Sequence, residues 1–255
     1  MSKDSPARSR GVMMITGGSR GIGAATARLA ATRGWSVAVI YRDRVNDAQQ
    51  LVAEITAAGG RAQAILADVA DESAILRAFA EADRMGPLTA LVNNAGVSGG
   101  VSRVESVTAS QIDQVFAVNV RGAMLCAREA IRRMSTRHGG KGGAIINVGS
   151  AASQLGSAGV WVHYAATKGA IDTLTIGLAK EVAAEGIRVN CVRPGIIDTE
   201  IHAFRPPGQL EQMAKGVPMG RIGTPDEVAQ SILWLADSEL SPYVTASLID
   251  ARGAF

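Results

Sequence analysis

Tyr164 and Lys168 stand four residues apart at the start of an amphipathic stretch, so on a helix they share one face. A phenol can cycle a proton near neutrality only when its phenolate is favoured, and a neighbouring ammonium favours it. Ser150 follows the apolar run 144–148 at the end expected to be carboxyl-terminal, where ligands bind in open α/β sheets. Asn93-Asn94-Ala95-Gly96 ends an earlier apolar run at the same edge. Asn119 lies within Phe116-Ala117-Val118-Asn119-Val120, where a mid-helix amide either satisfies a buried carbonyl or bends the helix.

A second constellation fits a dinucleotide. Thr16-Gly17-Gly18-Ser19-Arg20-Gly21-Ile22-Gly23 joins the first apolar run to the first helical stretch. Glycines let backbone approach a pyrophosphate, and a helix N-terminus presents free N–H groups to it. The spacing G-x-x-x-G-x-G is looser than the G-x-G-x-x-G fingerprint, and the position after the first strand carries the reading. The second strand ends in Tyr41-Arg42-Asp43-Arg44. Arg42 and Arg20 converging on a 2′-phosphate would select NADP(H), which is the favoured cofactor. Asp43 on the ribose hydroxyls would select NAD(H), which remains possible.

The elements that position these groups alternate. Short Val- and Ile-rich runs at 12–15, 37–40, 62–67, 89–93, 144–148, 187–192 and 246–249 read as seven strands. Helical periodicity covers 24–33, 49–58, 73–84, 111–134, 164–184 and 225–236, with Asn46 and Gln49 expected to form a capping box and Gly59-Gly60 to close that helix. Continuous apolar strands indicate burial on both faces, hence a doubly wound α/β domain with a parallel sheet and helices on both sides. It should span 11–255 behind a flexible polar tail at 1–10. The proline-rich stretch 195–218 is expected to be a substrate flap, with a helical piece near 210–215.

Composition removes other classes. With 47% hydrophobic and 19% charged residues among 255, disorder of the whole chain is excluded, and no apolar run is long enough to span a bilayer. The first residues lack the apolar core of a secretory signal. Cys126 and Cys191 are expected to be buried reduced thiols in a cytoplasmic protein. Of the +3 net charge, most sits on Lys3, Arg8 and Arg10, so the nearly neutral remainder argues against a nucleic-acid partner. His138, His163 and His202 show no metal-ligand spacing, and no metal is expected.

These motifs, taken in chain order with Asp68-Val69, Pro194-Gly195 and Thr199, resemble the short-chain dehydrogenase/reductase family from Val12 to the C-terminus. The resemblance implies a Rossmann fold, a homotetramer or homodimer, and NAD(P)-dependent interconversion of a small-molecule carbonyl and alcohol. By it, Tyr164 would be the general acid, Lys168 would favour the phenolate and hold the ribose, and Ser150 would bond the substrate oxygen. Asn119 would anchor a water that leads protons to solvent. Gly17, Ser19, Arg20, Gly21, Ile22 and Gly23 would cradle the pyrophosphate, with Arg42 at the 2′-phosphate. Asp68 and Val69 would meet the adenine, Asn94, Ala95 and Gly96 the ribose, and Ile197 and Thr199 the carboxamide.

Departures from the family pattern bear on the substrate and the assembly. Ser150 and Tyr164 are 14 apart where the family has 13, so Ser153 is an alternative to Ser150. Ala246 stands where the family usually has glycine, and the ending Arg252-Gly253-Ala254-Phe255 departs from the common double glycine. The substrate walls would come from 98–104, 154–162, including Val160 and Trp161, and the flap. Arg137-His138 fits the branch that reduces 3-oxoacyl groups on acyl carrier protein, but Glu185 stands where that branch often has arginine. That activity is one alternative, and a non-catalytic dinucleotide-sensing regulator is another.

Overall fold

The computed structural model describes residues 10–202, 206 and 208–255. Most of the expected tail, and residues 203–205 and 207 of the expected flap, lie outside the described residues.

β1 (Val12–Thr16) is buried along its length, and its side chains enter two cores in alternation. Met13 and Ile15 join one core, Val12 and Met14 the other. A strand covered on both faces is apolar at nearly every position, which is why such strands read as continuous runs. β2 (Ser36–Tyr41), β3 (Arg61–Leu66), β4 (Leu88–Asn93), β5 (Gly143–Val148), β6 (Ile187–Pro194) and β7 (Leu248–Ala251) complete a parallel sheet in the order β3-β2-β1-β4-β5-β6-β7. The order reverses between β1 and β4, which opens a crevice at the carboxyl ends of the strands.

α1 (Gly21–Thr32) and α2 (Val45–Ala57) cover one face, together with α9 (Pro225–Ala236). The other face carries α3 (Glu72–Ala82), with α4 (Ala109–Phe116) leading through a π-helical turn, Ala117–Gly122, into α5 (Ala123–Met134). α6 (Ala152–Leu155) is a single turn, α7 (Val162–Val182) is the longest helix described, and α8 (Gln209–Ala214) is the helical piece expected in the flap. Among the described residues, no helix is long and apolar enough to cross a membrane.

Three local expectations are corrected. α2 begins at Val45, which places Asn46 inside its first turn, so the Asn46–Gln49 capping box does not form. The stretch 111–134 is not one uniform α-helix, because the π turn interrupts it at Asn119. The last strand is shifted two residues towards the C-terminus, and Ala246 before it takes a left-handed φ of 58°. That conformation costs alanine about 1 kcal/mol relative to glycine, and the N–H of Ala246 donates to Val189 O at 2.8 Å.

α9 is the helix with the most elaborate start. Thr224 and Glu227 form a reciprocal capping box, and Arg221 donates to both oxygens of the Glu227 carboxylate. The bond from Arg221, followed by that from the Thr224 N–H, holds the Glu227 pKa down from 4.5 to about 2. A depressed carboxylate pKa gives stability that is complete above the unfolded value and is lost as pH falls through the folded one. Glu227→Gln should therefore lower the urea midpoint at pH 7, and its deficit relative to the wild type should shrink between pH 4.5 and about 2. A deficit constant across that window would contradict the assignment.

Candidate active site

The crevice holds a cleft of about 600 Å³, lined from the ends of six strands. Its floor is the glycine turn. Gly17 has a φ of 60°, and a Cβ on Gly23 would lie within 2.4 Å of Gly17 O and 2.7 Å of Asn94 Nδ2, so neither position tolerates a side chain without moving the turn. Thr16 Oγ1 accepts from the N–H groups of Asn94 and Ala95, both at 3.0 Å. Asn94 Nδ2 returns the contact by donating to Thr16 O and Gly17 O, both at 2.9 Å. The Asn94 amide, expected to line a ribose, is thus engaged in shaping the turn.

Gly17, Ser19, Arg20, Gly21, Ile22, Arg42, Asp68, Val69, Ala95, Gly96, Ile197 and Thr199 all border the cleft. Gly23 does not reach it and supports the turn from below. The expected convergence of Arg20 and Arg42 takes another form. Arg42 Nε donates to Asp43 Oδ2 at 2.7 Å, and its far end lies 3.9 Å from Asp68. The Asp43 carboxyl is held below its usual value first by the Arg42 hydrogen bond, then by the charges of Arg42, Arg20 and Arg44. Arg42 thus pairs with one exposed carboxylate at the mouth, and the charges of Arg20 and Arg44 act on it from further away. Arg44 was missed in the sequence, where nothing separates it from a solvated surface arginine.

At the other end, Tyr164 and Lys168 lie in the first turns of α7, both buried. Lys168 Nζ donates to Val148 O at 2.8 Å and sits 5.5 Å from the centre of the Tyr164 ring. Ser150 borders the cleft, and its Oγ accepts from Ala152 N. Ser153 does not border the cleft, and its hydroxyl donates to Ser150 O. Asn119 lies behind this group and realises both sequence readings at once. It sits in the π turn, and its amide grips Val97 through Nδ2 to Val97 O and Val97 N to Oδ1, both at 2.9 Å. Nδ2 also donates to Thr167 Oγ1, which in turn donates to Tyr164 O.

Residues 98–100, and Glu200, Ile201 and His202 of the stretch expected to be a flap, also border the cleft. Trp161, expected as a wall, is buried behind the cleft instead. It packs edge-on to Tyr164 at 5.8 Å and stacks on His202 at 6.2 Å. Cys191 is buried within β6, and burial pushes its thiol up to about 12, which makes it inert as a nucleophile.

The short chain dehydrogenase profile matches residues 11–209. The chain is 52% identical to an uncharacterized oxidoreductase, YgfF, of Escherichia coli strain K12, covering 95% of this chain and 98% of that protein. It is 36% identical to cis-4-hydroxycyclohexanecarboxylate dehydrogenase of Sinomonas cyclohexanicum, covering 96% of each. Among solved structures, a blue fluorescent protein from a metagenomic library, in complex with NADPH, superposes with a TM-score of 0.89 at 33% identity, covering 98% of this chain and 99% of that one.

Removing the Asn119 amide would leave the N–H and C=O of Val97 and the hydroxyl of Thr167 without these partners. Asn119→Ala should cost about 2–3 kcal/mol in urea unfolding, from the desolvation of groups left unpaired. A loss under about 0.5 kcal/mol would mean that the loop finds other partners.

Proposed function

Because the chain belongs to the short-chain dehydrogenase/reductase family, we propose that this oxidoreductase moves hydride between NADP(H) and a ketone, aldehyde, sugar or polyol. The observation that carries the proposal is that one cleft joins a backbone cradle shaped for phosphate to a buried Tyr164–Lys168 pair. The nicotinamide, when bound, supplies the hydride or accepts it.

This chain's residues handle the cofactor's charge and the proton. The Gly17–Gly23 backbone and the start of α1 bind the pyrophosphate, helped by the helix dipole. Asp68 and Val69 hold the adenine end, Ala95 and Gly96 line the ribose, and Ile197 and Thr199 orient the carboxamide. Ser150 hydrogen-bonds the substrate oxygen. Tyr164 gives that oxygen its proton in reduction and takes it back in oxidation. The Lys168 ammonium, anchored on Val148 O, stabilises the phenolate left behind and holds the nicotinamide ribose. The Asn119 side chain is already committed to Val97 and Thr167, so a water relaying the proton outward would be held by a main-chain group of the π turn.

Two observations favour NADP(H). Arg20, Arg42 and Arg44 all line the cleft mouth beside Asp43, and a 2′-phosphate there would take over the charge-assisted bond that Asp43 now receives from Arg42. A similar structure binds NADPH. The acyl-carrier alternative is kept, because similar proteins include a 3-oxoacyl-[acyl-carrier-protein] reductase at 36% identity, although the Arg137 cation an acidic carrier would seek already pairs with Glu185 at 3.0 Å. A homotetramer or homodimer is supported by the exposed apolar side chains of Ile112, Phe116, Met124 and Ile176 on α4, α5 and α7. Two buried free cysteines suit the cytoplasm.

Titration with NADPH and NADH, read by nicotinamide fluorescence, followed by a panel of aldehydes, cyclic and aryl ketones and reducing sugars, tests the reading. Tyr164→Phe should lose turnover by at least about 10³-fold with NADPH affinity nearly intact. Retained turnover would remove the mechanism. Arg20→Ala with Arg42→Ala should weaken NADPH about 100-fold and NADH only slightly. Equal losses would place the 2′-phosphate elsewhere.

A further inference from the structure

The loop after β4 has no regular secondary structure, yet three consecutive carbonyls in it each receive a side-chain N–H from a different helical element. Asn119 of the π turn donates to Val97 O, His163 of α7 bonds Ser98 O, and Gln111 of α4 donates to Gly99 O, each at 2.9 Å. Because the partner of His163 Nε2 is a carbonyl, that nitrogen carries the hydrogen. Nδ1 is then a bare acceptor, and it is buried with no partner among the described residues. His163 is buried, and Gly99, at a φ of 75°, lies so close that a Cβ there would come within 3.0 Å of Nε2. A single donor thus accounts for everything the imidazole does in this structure.

The tie matters because of where it lies on α7. The residue at the N-cap is Trp161, whose indole has no acceptor with which to cap the first N–H groups. An uncapped first turn frays, and this first turn carries Tyr164. The strand-like bridge Ser102–Trp161 and the His163–Ser98 bond join the turn to the loop facing it. We propose that His163 is a positioning residue: by holding Ser98, it fixes the first turn of α7, and so the Tyr164 hydroxyl, against the substrate wall. The inference rests on the reading of Tyr164 as proton donor.

The test compares the wild type with His163→Phe, which keeps a ring of similar size without the donor, and His163→Gln, which keeps a donor without the ring. Amide hydrogen exchange is followed by mass spectrometry on the cofactor-free protein. NADPH affinity is measured by fluorescence, and turnover with the best carbonyl substrate of the panel. His163→Phe should speed exchange in 97–102 and 162–166 about tenfold and leave β1 unchanged. It should lower kcat about tenfold with KM and NADPH affinity within about twofold. His163→Gln should restore most of both. Unchanged exchange in His163→Phe, faster exchange with kcat unchanged, or a His163→Gln variant as impaired as His163→Phe would each overturn the proposal. His163→Leu replaces the Phe variant if that one does not fold. Tyr164→Phe is run alongside. Turnover surviving there removes the proton-donor reading, whereas turnover lost there with His163→Phe unaffected removes only the positioning role.

Discussion

Where β1 and β4 lie side by side at the switch in strand order, the side chains of Thr16 and Asn94 tie the backbone of 16–17 to that of 94–95 through four hydrogen bonds. A parallel sheet buried on both faces leaves backbone polar groups unpaired only at strand ends, and these two residues satisfy them across the crevice. The contact fixes the height of Gly17 relative to Ala95, whose Cα would lie 2.9 Å from a Cβ on Gly17. The glycine turn, the loop after β4 and the start of α1 all take their positions from it.

From that junction the order is passed on by buried amides. Asn93 donates to Asn147 Oδ1, and Asn147 donates to Thr175 of α7. Asn119 links Val97 to Thr167 on the same helix. Unpaired, such groups would each be costly to bury, so each amide forces one arrangement of the helices about the sheet. The π turn is the local cost of aiming Asn119 at Val97. In this way α7 is registered at several points along its length, and Tyr164 and Lys168 inherit that registration.

Charge is arranged differently at the two ends of the cleft. At the mouth, Arg42, Arg20 and Arg44 act on an exposed carboxylate in water, where each attraction is weak and exchangeable. Beside β6, Arg193 is buried between Asp172 and Asp250, and Arg252 extends the chain of contacts to Gln154 next to the Ser150 turn. The first arrangement suits a site that must accept a charged ligand, and the second holds a wall in place. Arg252, in the ending that departs from the family's double glycine, belongs to the second.

Seven strands, the glycine turn and the Tyr164–Lys168 spacing are legible in the order of residues alone. Each follows from a local rule: apolar runs for strands covered twice, glycine where backbone must approach backbone, and a four-residue step for one helix face. The same order marks Asn119 as an anomaly without naming its partner. Only the folded chain brings Arg42 to 3.9 Å from Asp68, stacks Trp161 on His202 away from the cleft, and lets His163 hold Ser98 from 65 residues away. These outcomes depend on how separate elements meet in space. A side chain's partner across the sheet leaves no periodicity in the chain from which it could be read.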